Sequence, residues 1–174
     1  MRRGIIVGIV AAFAVGVVTG LVASTAKADK SLFENVGPRE AAANLLGVAQ
    51  LQAGKGSWEN IGVARVYYLM GEKDHAREIL DRVMKGKLKE SDWMRIGRLY
   101  AEANEWPQAK EAFDKAIEAE PKDGGNLAEV GAWYNLHGDR AHAEELFGRA
   151  FGRKDDDVWV TANVAGSYVG VKPE

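Results

Sequence analysis

The chain has 174 residues, enough for one domain, with 47% hydrophobic residues, no cysteine and a formal charge of −2. The missing cysteine excludes disulfides, thiolate metal sites, cysteine nucleophiles and a lipidated N-terminal cysteine. Residues 1–28 hold Arg2, Arg3 and Lys27 and no acid, which leaves 20 of the 23 bases against all 25 acids downstream. A mildly acidic remainder without a basic run argues against nucleic acid as a partner, because phosphate binding needs a concentrated positive face.

Arg2 and Arg3 precede an uncharged run from Gly4 to Val22, and Ala26-Lys27-Ala28 puts small residues at −3 and −1 before Asp29. This is the layout of a secretory signal peptide over residues 1–28. The run is also just long enough to span a bilayer, so an uncleaved N-terminal anchor is the alternative. In either case the positive-inside rule keeps the arginines in the cytoplasm and sends the rest across, into the periplasm of a bacterium. Any contact with the membrane would be through that uncleaved segment.

Residues 29–37 read as a linker, with Phe33 and Val36 laid on the first helix. Helices are then predicted near 38–53, 57–70, 73–85, 90–103, 106–119, 124–137, 140–152 and 158–169. Pro38 and Pro107 suit first-turn positions, where the missing N–H costs nothing. Turns fall at Gly54-Lys55-Gly56, Gly71, Gly86, Pro121 with Gly124-Gly125, and Gly138. Val158-Trp159-Val160-Thr161 has strand-like propensity, and only the repeat register places a helix there.

That register has a period of 33–34 residues. In 90–123, Trp93, Ile96, Gly97, Tyr100, Ala109, Phe113, Ala116 and Pro121 stand at positions 4, 7, 8, 11, 20, 24, 27 and 32. One repeat later come Leu127, Val130, Gly131, Tyr134, Ala143, Phe147 and Ala150, with Asp155 in place of the closing proline. One repeat earlier come Val63, Ala64, Tyr67, Ala76, Leu80 and Val83, with Asn60 at position 4. Ala42, Leu46 and Ala49 match second-helix places, and Val164, Ala165 and Tyr168 match first-helix places. Small residues at recurring helical positions let paired helices approach, and aromatic residues fill the space between layers.

The pattern resembles the tetratricopeptide repeat (TPR), over roughly residues 38–170. The resemblance implies an all-α, right-handed α-solenoid of antiparallel helix pairs. Residues 38–56 would form an N-terminal half repeat, 57–89, 90–123 and 124–157 three full repeats, and 158–174 a C-terminal half repeat or cap. Three repeats plus halves suffice for a self-supporting stack.

The family's concave groove is lined by first-helix positions 2, 5, 9, 12 and 13. Carried onto this chain, these are Trp58, Ile61, Arg65, Tyr68 and Leu69, then Ser91, Met94, Arg98, Ala101 and Glu102. Ala128, Ala132, Asn135, Leu136 and Trp159 follow. Arg65 and Arg98 share position 9 in consecutive repeats, flanked by Trp58, Tyr68 and Met94. They would anchor a protein or peptide carrying Asp, Glu or a terminal carboxylate; the plainer reading pairs them with acids of their own helices. The family's carboxylate clamp needs Lys and Asn at set places, whereas Ile61, Arg65 and Glu129 stand at positions 5, 9 and 6. A chaperone-tail adaptor is therefore not expected. Val158 to Val171 contains no charge, which suits docking of a partner or a second copy, making the chain a self-associating subunit; a cap solvated by Thr161, Asn163 and Ser167 is the other reading.

No catalytic constellation is expected. His137 and His142 are five residues apart, off the i,i+3 and i,i+4 spacings of helical metal pairs, and His75 shares position 19 with His142. Asp155-Asp156-Asp157 lacks the order, glycine and distal Glu of a calcium loop and reads as an acidic helix cap. Phosphate-loop, dinucleotide and nucleophile-elbow motifs do not occur. Trp93, Trp106 and Trp133 fall in packing register. The expectation is a non-enzymatic interaction module with no cofactor and no metal.

Overall fold

The computed structural model describes residues 26–173, so the proposed export segment lies almost entirely outside the described residues. These hold a short 3-10 turn at Lys30–Leu32 and eight α-helices. They are α1 (Pro38–Ala53), α2 (Ser57–Leu69), α3 (Lys73–Met84), α4 (Glu90–Glu102), α5 (Trp106–Ala119), α6 (Gly124–Leu136), α7 (Arg140–Phe151) and α8 (Val158–Tyr168). No strand occurs among the described residues, so the Val158–Thr161 run is helical. Tertiary packing overrides its β propensity, because Val160 and Val164 are buried on one face.

Pairs α2–α3, α4–α5 and α6–α7 pack as hairpins. First helices also stack, α2 on α4 and α6 on α8, while α1 lies on α2. Two apolar clusters run through the stack and share Trp93 and Tyr100, so the core is continuous. Gly97 and Gly131 set the approach within hairpins: a methyl on either would overlap the Phe113 or Phe147 ring. Repeat 1 has Ala64 at the same place and the smaller Leu80 opposite, all buried.

Each first helix ends in the same way. The fifteenth residue of the repeat has positive φ: Gly71 (99°), Asn104 (58°) and Gly138 (88°). The next N–H donates back to the carbonyl of the position-11 tyrosine: Glu72 to Tyr67, Glu105 to Tyr100 and Asp139 to Tyr134. This is a Schellman stop, which demands the left-handed conformation that glycine or asparagine accepts. Asn104 does the work of a glycine and carried no turn signal beforehand.

Two sequence-based readings need correction. Phe33 is 47% exposed rather than tucked onto α1; it is Leu32 whose carbonyl accepts from Asn44 Nδ2, and Val36 is half-buried. Gly124-Gly125 is not a turn but the first turn of α6, capped by Asp123, which accepts from Asn126 N. Glycine at 124 suits a close approach, since a Cβ there would meet the Ala150 carbonyl at 3.2 Å and press on the Arg153 and Lys154 side chains. Asn60, at a position usually filled by a large apolar residue, is buried because its amide donates to the carbonyls of Gly54 and Gly56, tying the α1–α2 turn to α2.

Candidate partner-binding groove

Adjacent repeats are stitched along their first helices by polar pairs 31–37 residues apart. Arg65 of α2 holds Glu102 of α4 through two bonds of 2.6 and 2.8 Å. Arg98 of α4 holds Glu129 of α6 in the same two-pronged way, and Glu129 is buried. Asn135 of α6 donates to Ser167 of α8 at 3.0 Å. Beside this row, the loop residue Glu105 accepts from the Tyr68 hydroxyl and from Lys73. Each carboxylate raises its arginine's pKa, whereas the Lys73 and Tyr68 bonds lower that of Glu105. Two-pronged, charge-assisted bonds hold both partners in fixed geometry.

Position-9 arginines thus sit neither free nor against acids of their own helices; each bonds the first helix of the next repeat. Between them opens a pocket of about 320 Å³ lined by Ile61, Gly62, Arg65, Arg95, Arg98 and Glu102. Arg95 was not among the sequence-derived groove residues. Its guanidinium carbon lies 3.0 Å from the Trp58 ring centroid, and Nη1 reaches the Trp58 carbonyl at 3.5 Å. Gly62, one repeat back at the same position, lies beside it: a Cβ there would be 4.0 Å from Nη1, an ordinary contact. Among the described residues Arg95 makes no ion pair, and its Nε is buried without a hydrogen bond. Burial first, then neighbouring Arg98, lower its pKa, against the pull of Asp92 and Glu59. A cation stacked on indole is favourable, yet this one still has donors without acceptors.

The other expected groove residues divide by packing. Trp58, Leu69 and Trp159 are exposed; Ser91, Glu102, Asn135 and Leu136 are half-buried. Ile61, Tyr68, Met94, Ala101, Ala128 and Ala132 are buried. Tyr68 and Met94 therefore offer a partner no free side, because positions 5 and 12 are taken up by helix stacking, while Ile61, equally buried, forms part of the pocket wall. Tyr68 additionally meets Tyr100 edge-on at 5.6 Å. Trp159 lies apart from the arginine pocket, on a smaller recess formed with Ala162, Asn163, Gly166, Val171 and Lys172. Arg95 could have been found in the sequence: with Arg98 and Glu102 it makes an i, i+3, i+7 stripe on one helix face.

The histidines pack as side chains of the repeat. His75 and His142 meet the position-11 tyrosines Tyr67 and Tyr134, at 4.6 and 4.3 Å between ring centroids. His137 stacks on Trp106 at 4.2 Å, and burial followed by Lys172 lowers its pKa. Trp133 is buried, while Trp93 and Trp106 are half-buried against the core. Asp157 caps α8, accepting from the Trp159 and Val160 N–H groups, which lower its pKa. Among the described residues no group of three or more metal-ligating side chains converges, and no helix is long and apolar enough to cross a membrane.

Helix hairpins stacked through shared first-helix contacts define an α-solenoid. The tetratricopeptide repeat family model matches residues 91–123, the second full repeat, so the chain carries a tetratricopeptide repeat. No curated protein and no solved structure gave a significant match. Such repeats generally mediate protein–protein interaction, and the family is typically non-catalytic.

Proposed function

We propose that the chain is an interaction module of the cell envelope whose first-helix groove takes an acidic segment of a partner protein. One observation carries the reading: three guanidinium groups meet in the pocket, two already hold Glu102 and Glu129, and Arg95 is left over. A carboxylate entering there gains charge-assisted bonds from Arg95, while exposed Trp58 supplies an aromatic wall. The envelope location is supported by Arg2, Arg3, the apolar run to Val22 and the small residues before Asp29.

The test uses a labelled peptide of about a dozen residues rich in Asp and Glu, beside its Asn/Gln counterpart. Fluorescence anisotropy should show the acidic peptide binding in a salt-dependent way. Arg95→Glu should weaken it about tenfold or more, as befits loss of a charged hydrogen bond, with an unchanged helical spectrum. Equal binding of both peptides, or indifference to Arg95→Glu, would remove the groove anchor. Protease accessibility of the chain in spheroplasts tests the location; protection until the inner membrane is lysed would overturn it.

A further inference from the structure

The two ends of the described stack are halves of different hairpins. α1 stands in second-helix register and α8 in first-helix register. In complete repeats the first-helix positions 4, 8 and 11 are covered by the partner helix: Asn60, Ala64 and Tyr67 are buried in repeat 1 and Leu127, Gly131 and Tyr134 in repeat 3, while in repeat 2 Gly97 is buried and the larger Trp93 and Tyr100 are half-buried. Thr161, Ala165 and Tyr168 occupy these positions in α8 and are exposed, although one edge of Tyr168 already meets Phe147, the Arg140 guanidinium and, through its hydroxyl, Glu144 of α7. The complement holds in α1. Second-helix positions 20 and 23 are buried in every complete repeat, as Ala76 and Ile79, Ala109 and Ala112, and Ala143 and Leu146; in α1 Ala42 and Leu45 are only half-buried.

The bare halves fit one another by a size rule that the complete repeats obey. Glycine at position 8 faces phenylalanine at position 24, in Gly97/Phe113 and Gly131/Phe147. Alanine at position 8 goes with leucine, in Ala64/Leu80. α8 carries the exposed Ala165 at position 8, and α1 carries Leu46, itself largely buried within its own chain, at position 24. Taken together as one hairpin, they give Val164, Ala165, Tyr168, Ala42, Leu46 and Ala49, beside Val63, Ala64, Tyr67, Ala76, Leu80 and Val83 of repeat 1.

Charge points the same way. Neither Ala41–Gly54 nor Val158–Val171 contains a charged residue, whereas α3 alone has Lys73, Asp74, Arg77, Glu78, Asp81 and Arg82. Terminal repeats of a solitary solenoid need a polar outer face; here α8 is uncharged and α1 carries charge only in its first turn, at Arg39 and Glu40. Among the described residues, the stretch 26–37 before α1 does not block the site. It is held by Asn44 and Gln52 at positions 22 and 30, and those positions face solvent in the complete repeats.

We propose that α8 of one copy docks on α1 of a second copy, head to tail, completing a hairpin of the repeat-1 type across the contact. Such an interface is heterologous, so successive copies extend into a row or close into a ring.

Since the chain has no cysteine, full-length Ala42→Cys and Ala165→Cys are single-thiol proteins. Positions 8 and 20 lie close in complete hairpins, where a Cβ on Gly131 would be 3.2 Å from the Ala143 carbonyl; thiols there come within disulfide reach. Under mild oxidation the mixture of the two variants should yield a covalent dimer about tenfold above either variant alone. Adding Tyr168→Glu to Ala165→Cys should abolish it while the helical spectrum stays intact. No dimer in the mixture overturns the proposal. So does a dimer of Ala165→Cys alone, which would mean α8 against α8, or a product indifferent to Tyr168→Glu.

Discussion

Gly131 and Phe147 fit because one gives up the volume the other takes. Alanine at 131 would gain about 1 kcal/mol of helix propensity. It would also put a methyl 2.6 Å from the buried Phe147 ring and 3.2 Å from the Ala143 carbonyl, and neither neighbour is a free end that can swing away. Overpacking costs about 1–3 kcal/mol and wins, so Gly131→Ala is expected to lower stability by about 1 kcal/mol. Gly131→Ala with Phe147→Leu recreates the Ala64/Leu80 pairing. Denaturant unfolding should therefore show the double variant losing less than the sum of the singles; strict additivity would refute the size rule.

Helix ends in this chain are set by backbone conformation as much as by side-chain caps. Asn104 holds φ 58° where the neighbouring repeats use glycine. Left-handed backbone disfavours every residue with a Cβ, asparagine least. Asn104→Gly should accordingly raise the urea midpoint by an amount worth about 0.5 kcal/mol, and Gly138→Ala should lower it by about 1 kcal/mol. A neutral Gly138→Ala would show that the stop does not depend on this conformation. At this scale the sequence was highly legible: all eight helices begin at the residues expected, because proline, glycine and the 34-residue register agree with one another. What escaped were Asn104, whose left-handed role has no composition cue, and Gly124, where a close contact from elsewhere in the fold imitates a turn signal. The site was less legible for a related reason. Register says which face a residue occupies, but not that stacking of first helices closes over Tyr68 and Met94. Nor does it say that Glu102 and Glu129 arrive from the next helix to occupy Arg65 and Arg98.

Across the whole molecule, carboxylates join one repeat to the next. Glu105 joins repeat 1 through Lys73 and Tyr68, and Lys73 first, then Tyr68, hold its pKa below the ordinary 4.5. A carboxyl with a depressed folded-state pKa stabilises fully above its unfolded value, and that contribution fades as pH falls through the folded one. The acid limb of a stability profile should therefore drop below about pH 4.5, and Glu105→Gln should be less stable at neutral pH with a shallower limb. An unchanged acid limb in Glu105→Gln would assign the loss to other groups.

The side-chain hydrogen bonds that join the first helices of adjacent repeats span 31 to 37 positions along the chain. Each layer can thus close as soon as the next three dozen residues have been made or threaded, without waiting for the far end. A polypeptide delivered through a narrow channel from its N-terminus would crystallise, layer by layer, behind its own leading edge, and at any instant only its newest hairpin would stand naked to proteases and chaperones.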